Sequence, residues 1–256
     1  LMNVAPSTVA ATRNVSDGIN SVACALPWTE GDNVVVTAEA EHPNSIYPWL
    51  RQQKRGLEVR MIAANPDGSM NIDGMLDAMD KRTKVLTCAT VTYAPGHRSD
   101  VAKLGEACSK NETFFLADGV QSAGILHHDF PAQHIDGFAT STSKGLLGLY
   151  GYGFLYVNEK WIDRMEPAYL SRPAIDMDDQ EHSAMGSLDY ELKPDTRRFE
   201  VGSFNLAGAY AANASLSMLL ELGSEAIERR VLHLASLFHE GLSSVGYPPA
   251  MPNGGP

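Results

Sequence analysis

Two residues sit where a need for solubility does not explain them. In "FFLADGVQSAG" an apolar, strand-like run ends on an acid, Asp118. In "DGFATSTSKGLLGLYGYGFLYV" a lysine, Lys144, lies in a bed of Ser, Thr and Gly. A carboxylate at the buried end of an apolar strand is costly unless a cation or strong donor meets it. A protonated pyridine nitrogen is one such partner, with Gln121 close enough in sequence to donate to a ring substituent. Capping of a helix at "GVQSAG" is the other reading. Lys144, partly desolvated and ringed by small hydroxyls, can form a Schiff base with an aldehyde cofactor, with Ser141 and Ser143 binding phosphate oxygens. A solvated loop lysine is its plain alternative.

Two further stretches carry the same double reading. "TRNVSDGINSVA" opens a helix with Ser16 and Asp17 in its first turn, and free N–H groups at a helix start cradle phosphate. Ordinary capping by Asn14 or Ser16 explains the same residues. His42 in "AEAEHPNS" precedes a helix, as a cap or as an aromatic plate on a cofactor ring that is available for proton transfer. "HHDF" with His134 matches no metal-ligand spacing, and no metal is expected. "GLLGLYGYG" fits neither a Walker nor a dinucleotide fingerprint and reads as a tight turn. The acidic run "DMDDQE" (176–181) reads as a solvated loop.

These residues need a scaffold, and the chain's apolar pattern supplies one. Strands are predicted at 32–38, 58–64, 84–91, 113–118, 137–141 and 153–157, with helices at 43–56, 71–81 and 99–110 between them. Asn71 and Asp100 are expected N-caps, and "NPDGS" (65–69) is turn chemistry. Strands that are apolar throughout and alternate with helices imply an α/β fold, its sheet mostly parallel and covered on both faces. In such sheets ligands bind beyond the carboxyl ends of the strands. That rule selects His42, Tyr93, Asp118 and the "STSK" segment at 141–144. From 205 to 245 the chain reads as helical, punctuated at Gly223. A domain change near 225–230 would divide a large unit, 1–228, from a linking helix and the start of a smaller one, 229–256.

Composition narrows the function classes. With 256 residues, 44% hydrophobic and 20% charged, the chain can bury a sizeable core in one or two domains. A net charge of −11 argues against nucleic acid or an anionic membrane as partner. No apolar run approaches the roughly 18 residues of a membrane span, and no signal segment opens the chain. Cys24, Cys88 and Cys108, odd in number and widely spaced, exclude a disulfide framework and read as small buried residues of a cytoplasmic protein. The opening "LMNVAPS" and the close at "PPAMPNGGP" predict a chain incomplete at both ends.

Taken in order, "TRNVSDGIN", "EHPNSIYPW", "NPDGSM", "YAPGHRSD", "LADGVQSAG", "STSKGLLGLYGYGFLYV" and "RRFEVGSFNLAG" carry a resemblance. Over roughly 9–225 the chain resembles the class V branch of pyridoxal-phosphate (PLP) enzymes. That branch includes class V aminotransferases, cysteine desulfurases, selenocysteine lyases, isopenicillin N epimerase and kynureninase. The resemblance implies a type-I PLP fold with only the start of its small C-terminal domain. Lys144 would hold the cofactor aldehyde and shuttle the α-proton, Asp118 would bind the pyridine nitrogen, Gln121 would reach the ring hydroxyl, and His42 would stack on the ring. Val15, Ser16, Ser141 and Ser143 would bind the phosphate. Ser203, where the family usually has Thr, would reach the phosphate of a neighbouring subunit, which implies a homodimer. Arg198 and Glu200 would be structural.

Three departures mark the chain. Ser143 replaces the His that precedes the lysine in the desulfurase and epimerase branches. Tyr93 stands where desulfurases often carry Asn. The family's N-terminal segment and small domain are missing, and with them the arginine that grips the substrate carboxylate and the desulfurase cysteine. The expectation is therefore a PLP enzyme acting at the α-carbon of an amino acid or amine, most simply a class V aminotransferase. A desulfurase, C–S lyase or epimerase of the same family, or a non-catalytic binding protein of the same fold, are the rivals.

Overall fold

The computed structural model describes residues 1–177 and 190–249. Its centre is a seven-stranded sheet built from β1 (Val9–Thr12), β2 (Asn33–Thr37), β3 (Glu58–Ile62), β4 (Thr83–Ala89), β5 (Phe114–Asp118), β6 (Gly137–Ser141) and β7 (Gly153–Val157). The spatial order is β1-β7-β6-β5-β4-β2-β3. β2 to β6 run parallel, whereas β7 runs against both β6 and β1. Every residue of β2, β5 and β6 is buried, as strands covered on both faces require. Each fully buried valine of β2 contributes about 1.5–3 kcal/mol relative to exposure.

Two apolar layers cover the faces. On one lie α1 (Val15–Ala25) and α2 (Pro43–Gln52), with Ile19, Trp49, Phe114 and Trp161 in a single cluster. On the other lie α3 (Ile72–Asp77) and α4 (Val101–Lys110), with Leu104, Phe115, Phe130 and Phe138. Close packing fixes α1 on the sheet. A methyl group on Gly18 would lie 2.9 Å from Cβ of Ala139, so only glycine lets the helix rest directly on β6.

The expected elements recur with trimmed ends. Asn71 and Asp100 cap α3 and α4 through side-chain oxygens that accept Gly74 N–H and Lys103 N–H. The helix expected over 71–81 stops at Asp77 because Asp80 is drawn into side-chain bonds with Arg82 N–H and Asn33 instead. The helix expected over 43–56 ends at Gln52 and passes through one 3-10 turn to Gly56 at φ 88°. After the short α5 (Glu159–Ile162), Gly223, at φ 80°, separates α6 (Leu206–Leu222) from α7 (Ser224–Ser244). The acidic run at 176–181 enters a short strand at Asp176, and its residues 178–181 lie outside the described residues. Among the described residues no helix is long and apolar enough to cross a membrane.

Register lines up the ends that matter. Ala89 of β4 pairs with Asp118 of β5, and Asp118 with Ala139 of β6. Ser141 faces Gly153, which in turn faces Thr12 of β1. The start of α1 is thereby brought against the end of β6.

Candidate active site

A cavity of about 320 Å³ opens at these strand ends. Its wall includes Val15, Ser16, His42, Asp118, Gln121, Ser141, Ser143 and Lys144, eight residues from four separate stretches of sequence. Ser203 is exposed and is not part of this wall. A larger cavity of about 610 Å³, lined by residues such as Phe130, Phe138 and Leu216, offers no acid, amine or imidazole. Size therefore does not single out the site; the meeting of carboxyl, amine and imidazole at the strand ends does.

Asp118 forms the floor and is 4% exposed. Ser45 Oγ donates to its Oδ2 at 2.7 Å, and Val120 N–H donates to Oδ1 at 2.9 Å. The helix that Asp118 was expected to cap is a series of turns, because Gly119 and Gly124 interrupt it; the Val120 contact is a local turn bond. Burial pushes the Asp118 carboxyl above its ordinary range, against the opposing pull of Ser45, Val120, Lys144 and His42. A buried polar chain fixes its backbone from behind. Thr90 N–H and Oγ donate to the Asp118 carbonyl, Thr90 Oγ meets Ser122 Oγ at 2.6 Å, and Ser122 meets His128 Nε2 at 2.8 Å. Burial lowers His128 to about 4, so it is a neutral core imidazole.

Lys144 stands at the mouth. It is exposed rather than partly desolvated, because the turn after β6 carries it to the rim, with Nζ 6.0 Å from the ring centre of Tyr93. His42 combines both readings of its position. Its Nδ1 accepts Asn44 N–H at 3.2 Å as the cap of α2, while its ring meets Tyr93 edge-on at 5.2 Å. At the other end of the cavity Val15 N–H donates to Ser141 Oγ at 2.9 Å, which ties the start of α1 to β6. Asn14 caps that helix by accepting Asp17 N–H, so the ordinary capping role is real too.

The remaining motifs serve the frame. Arg198, buried, donates to the carbonyls of Ile162 and Lys193, and Glu200 accepts Ala11 N–H at 3.0 Å. They brace different segments rather than each other. Cys88 and Cys108 are buried, whereas Cys24 is half-buried beside the Gln52 amide. Farther out, Glu228 of α7 accepts from Arg98 Nη1 at 2.7 Å and from His127 N–H at 2.6 Å.

Among the wall residues that sequence reasoning missed are Ser45 and Glu41. Ser45 shares the buried face of α2 with Ile46, Trp49 and Gln52, and a serine on such a face signals a polar partner. Glu41 gives no local signal, since an acid before a helix is ordinarily a solvated one.

The donor set fits a phosphorylated, nitrogen-bearing aromatic aldehyde. A buried carboxylate at one end, an amine at the rim and a helix start with hydroxyls at the other end match its three functional groups. Comparison with known proteins points the same way. The family profile described as "Aminotransferase class-V" matches residues 1–250. A probable cysteine desulfurase of Methanothermobacter thermautotrophicus is 30% identical over 95% of this chain and 59% of its own length. The apo structure of a cysteine desulfurase from Thermococcus onnurineus NA1 superposes with a TM-score of 0.84 at 29% identity, covering 97% of this chain and 60% of its own. The C–S lyase C-DES, in a structure with glycine covalently linked to its PLP cofactor, reaches 0.81 at 22% identity, over 95% of this chain and 63% of its own, a likeness of fold. The chain thus spans about three fifths of the length of the relatives it matches. The chain belongs to the class V aminotransferase family of pyridoxal-phosphate-dependent enzymes.

Proposed function

We propose that this chain forms the cofactor-binding unit of a pyridoxal-phosphate enzyme that acts at the α-carbon of an amino acid or amine, most simply by transamination. The observation that supports it is the convergence of Asp118, Lys144, Gln121, His42 and the Val15–Ser16 helix start on one cavity. When bound, the cofactor supplies an electron sink for the pair left when the α-proton departs. Asp118, held by Ser45 and Val120, pairs its carboxylate with the protonated ring nitrogen. Gln121 would donate to the ring hydroxyl, and His42 would cover a ring face. Val15 N–H, Ser16, Ser141 and Ser143 hold the phosphate. Lys144 Nζ would hold the aldehyde and, as a free amine, would take and return the α-proton; its place on the rim suits a group that serves both roles.

In this reading residues 1–228 are the cofactor unit, and 229–256 begin a further one. The 21-residue α7, which spans that boundary, buries no residue fully. Exposed Ser203 suits contact with a second subunit's phosphate in a homodimer. Cysteine desulfuration is the second reading, favoured by the names of the relatives. Against it, Ser143 stands where that branch carries histidine, and none of the three cysteines lines the cavity.

The test is the visible absorption of purified protein supplied with pyridoxal phosphate. A band that borohydride removes and that Lys144→Ala lacks is the expected result. No band in well-folded protein refutes the reading. A screen of amino donors then separates the two reactions by their products, a 2-oxo acid or sulfide.

A further inference from the structure

The floor of the cavity holds a second acid that the mechanism above does not use. Glu41, in the turn between β2 and α2, is 7% exposed and lines the same wall as Asp118. Its Oε1 accepts Ala89 N–H at 2.5 Å, while Oε2 is buried without a hydrogen-bond partner. Ala89 is the strand neighbour of Asp118, so two carboxyls occupy adjacent strand ends. The groups that face Glu41 are Asp118 on β5, the buried Cys88 thiol on β4, His42 next in the chain, and Lys144 across the cavity. No ion pair reaches Glu41 among the described residues.

An anion in this position would leave one oxygen unsatisfied and would face a second anion. As an acid, Oε2 becomes a donor whose need is an acceptor, and the Asp118 carboxylate lies on the same floor. Two carboxyls in one dry site share a proton more cheaply than both ionise. We propose that Glu41 is a positioning residue that holds a proton on Oε2 and keeps Asp118 the sole anion of the floor. The floor then carries one negative charge for one ring proton, a deepening that rests on the pyridoxal reading. Burial first, then the Asp118 charge, moves the Glu41 carboxyl up to about 8. This extra proton is bound in the folded state alone. Its stabilising effect is full below the ordinary glutamate range and is lost as pH rises toward about 8.

The test begins on the cofactor-free full chain labelled with [¹³C]glutamate and read by NMR across pH. One glutamate should titrate near the top of the neutral range, vanish in Glu41→Gln, and move down by about one unit or more in Asp118→Asn. The reciprocal measurement leaves Asp118 in place: with [¹³C]aspartate, Asp118 must ionise before Glu41 does, and its titration must not fall in Glu41→Gln, since a protonated Glu41 sets no charge against it. A Glu41 that titrates in the ordinary range, or an Asp118 whose titration falls in Glu41→Gln, overturns the proposal. Titration with pyridoxal phosphate adds the second arm. Glu41→Gln should bind it as the wild type does near neutrality but lose the wild type's change in affinity at alkaline pH. Absence of binding at any pH, with the carboxyl titrations intact, would instead refute the pyridoxal reading.

Discussion

Of the two donors to the Asp118 carboxyl, Ser45 is the one that a substitution can remove, since the other is the backbone N–H of Val120. Ser45→Ala deletes a 2.7 Å bond between two buried groups and leaves Asp118 Oδ2 without that partner. A hydrogen bond to a charged acceptor is worth about 1.5–3 kcal/mol, against about 0.5–1.5 kcal/mol to a neutral one. The size of the loss therefore reports the charge on Asp118. Because burial raises the Asp118 carboxyl, the folded state takes up its proton at a higher pH than the unfolded chain does. Stability from that proton is full in acid and is lost as pH rises through the folded value. Ser45→Ala should accordingly cost more on the alkaline side of the folded Asp118 titration, where the group is an anion, than on its acid side, where it is protonated. At ~2–4 °C per kcal/mol, the alkaline loss in Tm should be ~3–12 °C. Thermal unfolding of cofactor-free protein followed by circular dichroism, at several pH values, measures it. An equal loss at every pH would refute the claim that the Ser45 bond reads the charge of Asp118.

Two other predictions follow from the frame. His128, held neutral by burial at about 4 against an ordinary 6.5, makes the unfolded chain the better proton binder between those values, so stability should fall as pH drops through them. The contribution is on the order of 3 kcal/mol, and His128→Gln should flatten that acid limb in urea midpoints taken across pH. At Gly153 a methyl group would lie 2.4 Å from the Thr140 carbonyl and 3.1 Å from Thr12 Oγ1. Gly153→Ala should cost about 1–3 kcal/mol by forcing β7 off its neighbours, and an unchanged Tm would contradict the packing.

The strands were legible because their signal is local. Gly137–Ser141 and Gly153–Val157 fall where the apolar runs predict, and Asn71 and Asp100 cap as their side chains dictate. The direction of β7 was not legible, since a buried strand has the same pattern whichever way it runs. Asp118 and Lys144 could be singled out because each is chemically out of place in its own segment. Ser45 and Glu41 could not, because their importance depends on which strand ends lie beside them. The exposure of Lys144 follows the solvated-loop reading of its segment rather than the desolvated one: hydroxyls nearby in sequence do not cover a side chain that the backbone turn sends to the rim.

Glu228 gives the molecule a mechanical property. Arg98 follows the loop that bears Tyr93, and His127 follows the loop that bears Gln121, yet one carboxylate on α7 grips both. The two loops leave different strands and have no need to move in step. Tethered to a shared post, they become a yoke: for α7 to move without both rims of the cavity, either the Arg98 bond of 2.7 Å must break, or the His127 bonds of 2.6 Å to Glu228 and 2.8 Å to Ser224 must break together. Leverage applied to that helix thus reaches Tyr93 and Gln121 as a single stroke.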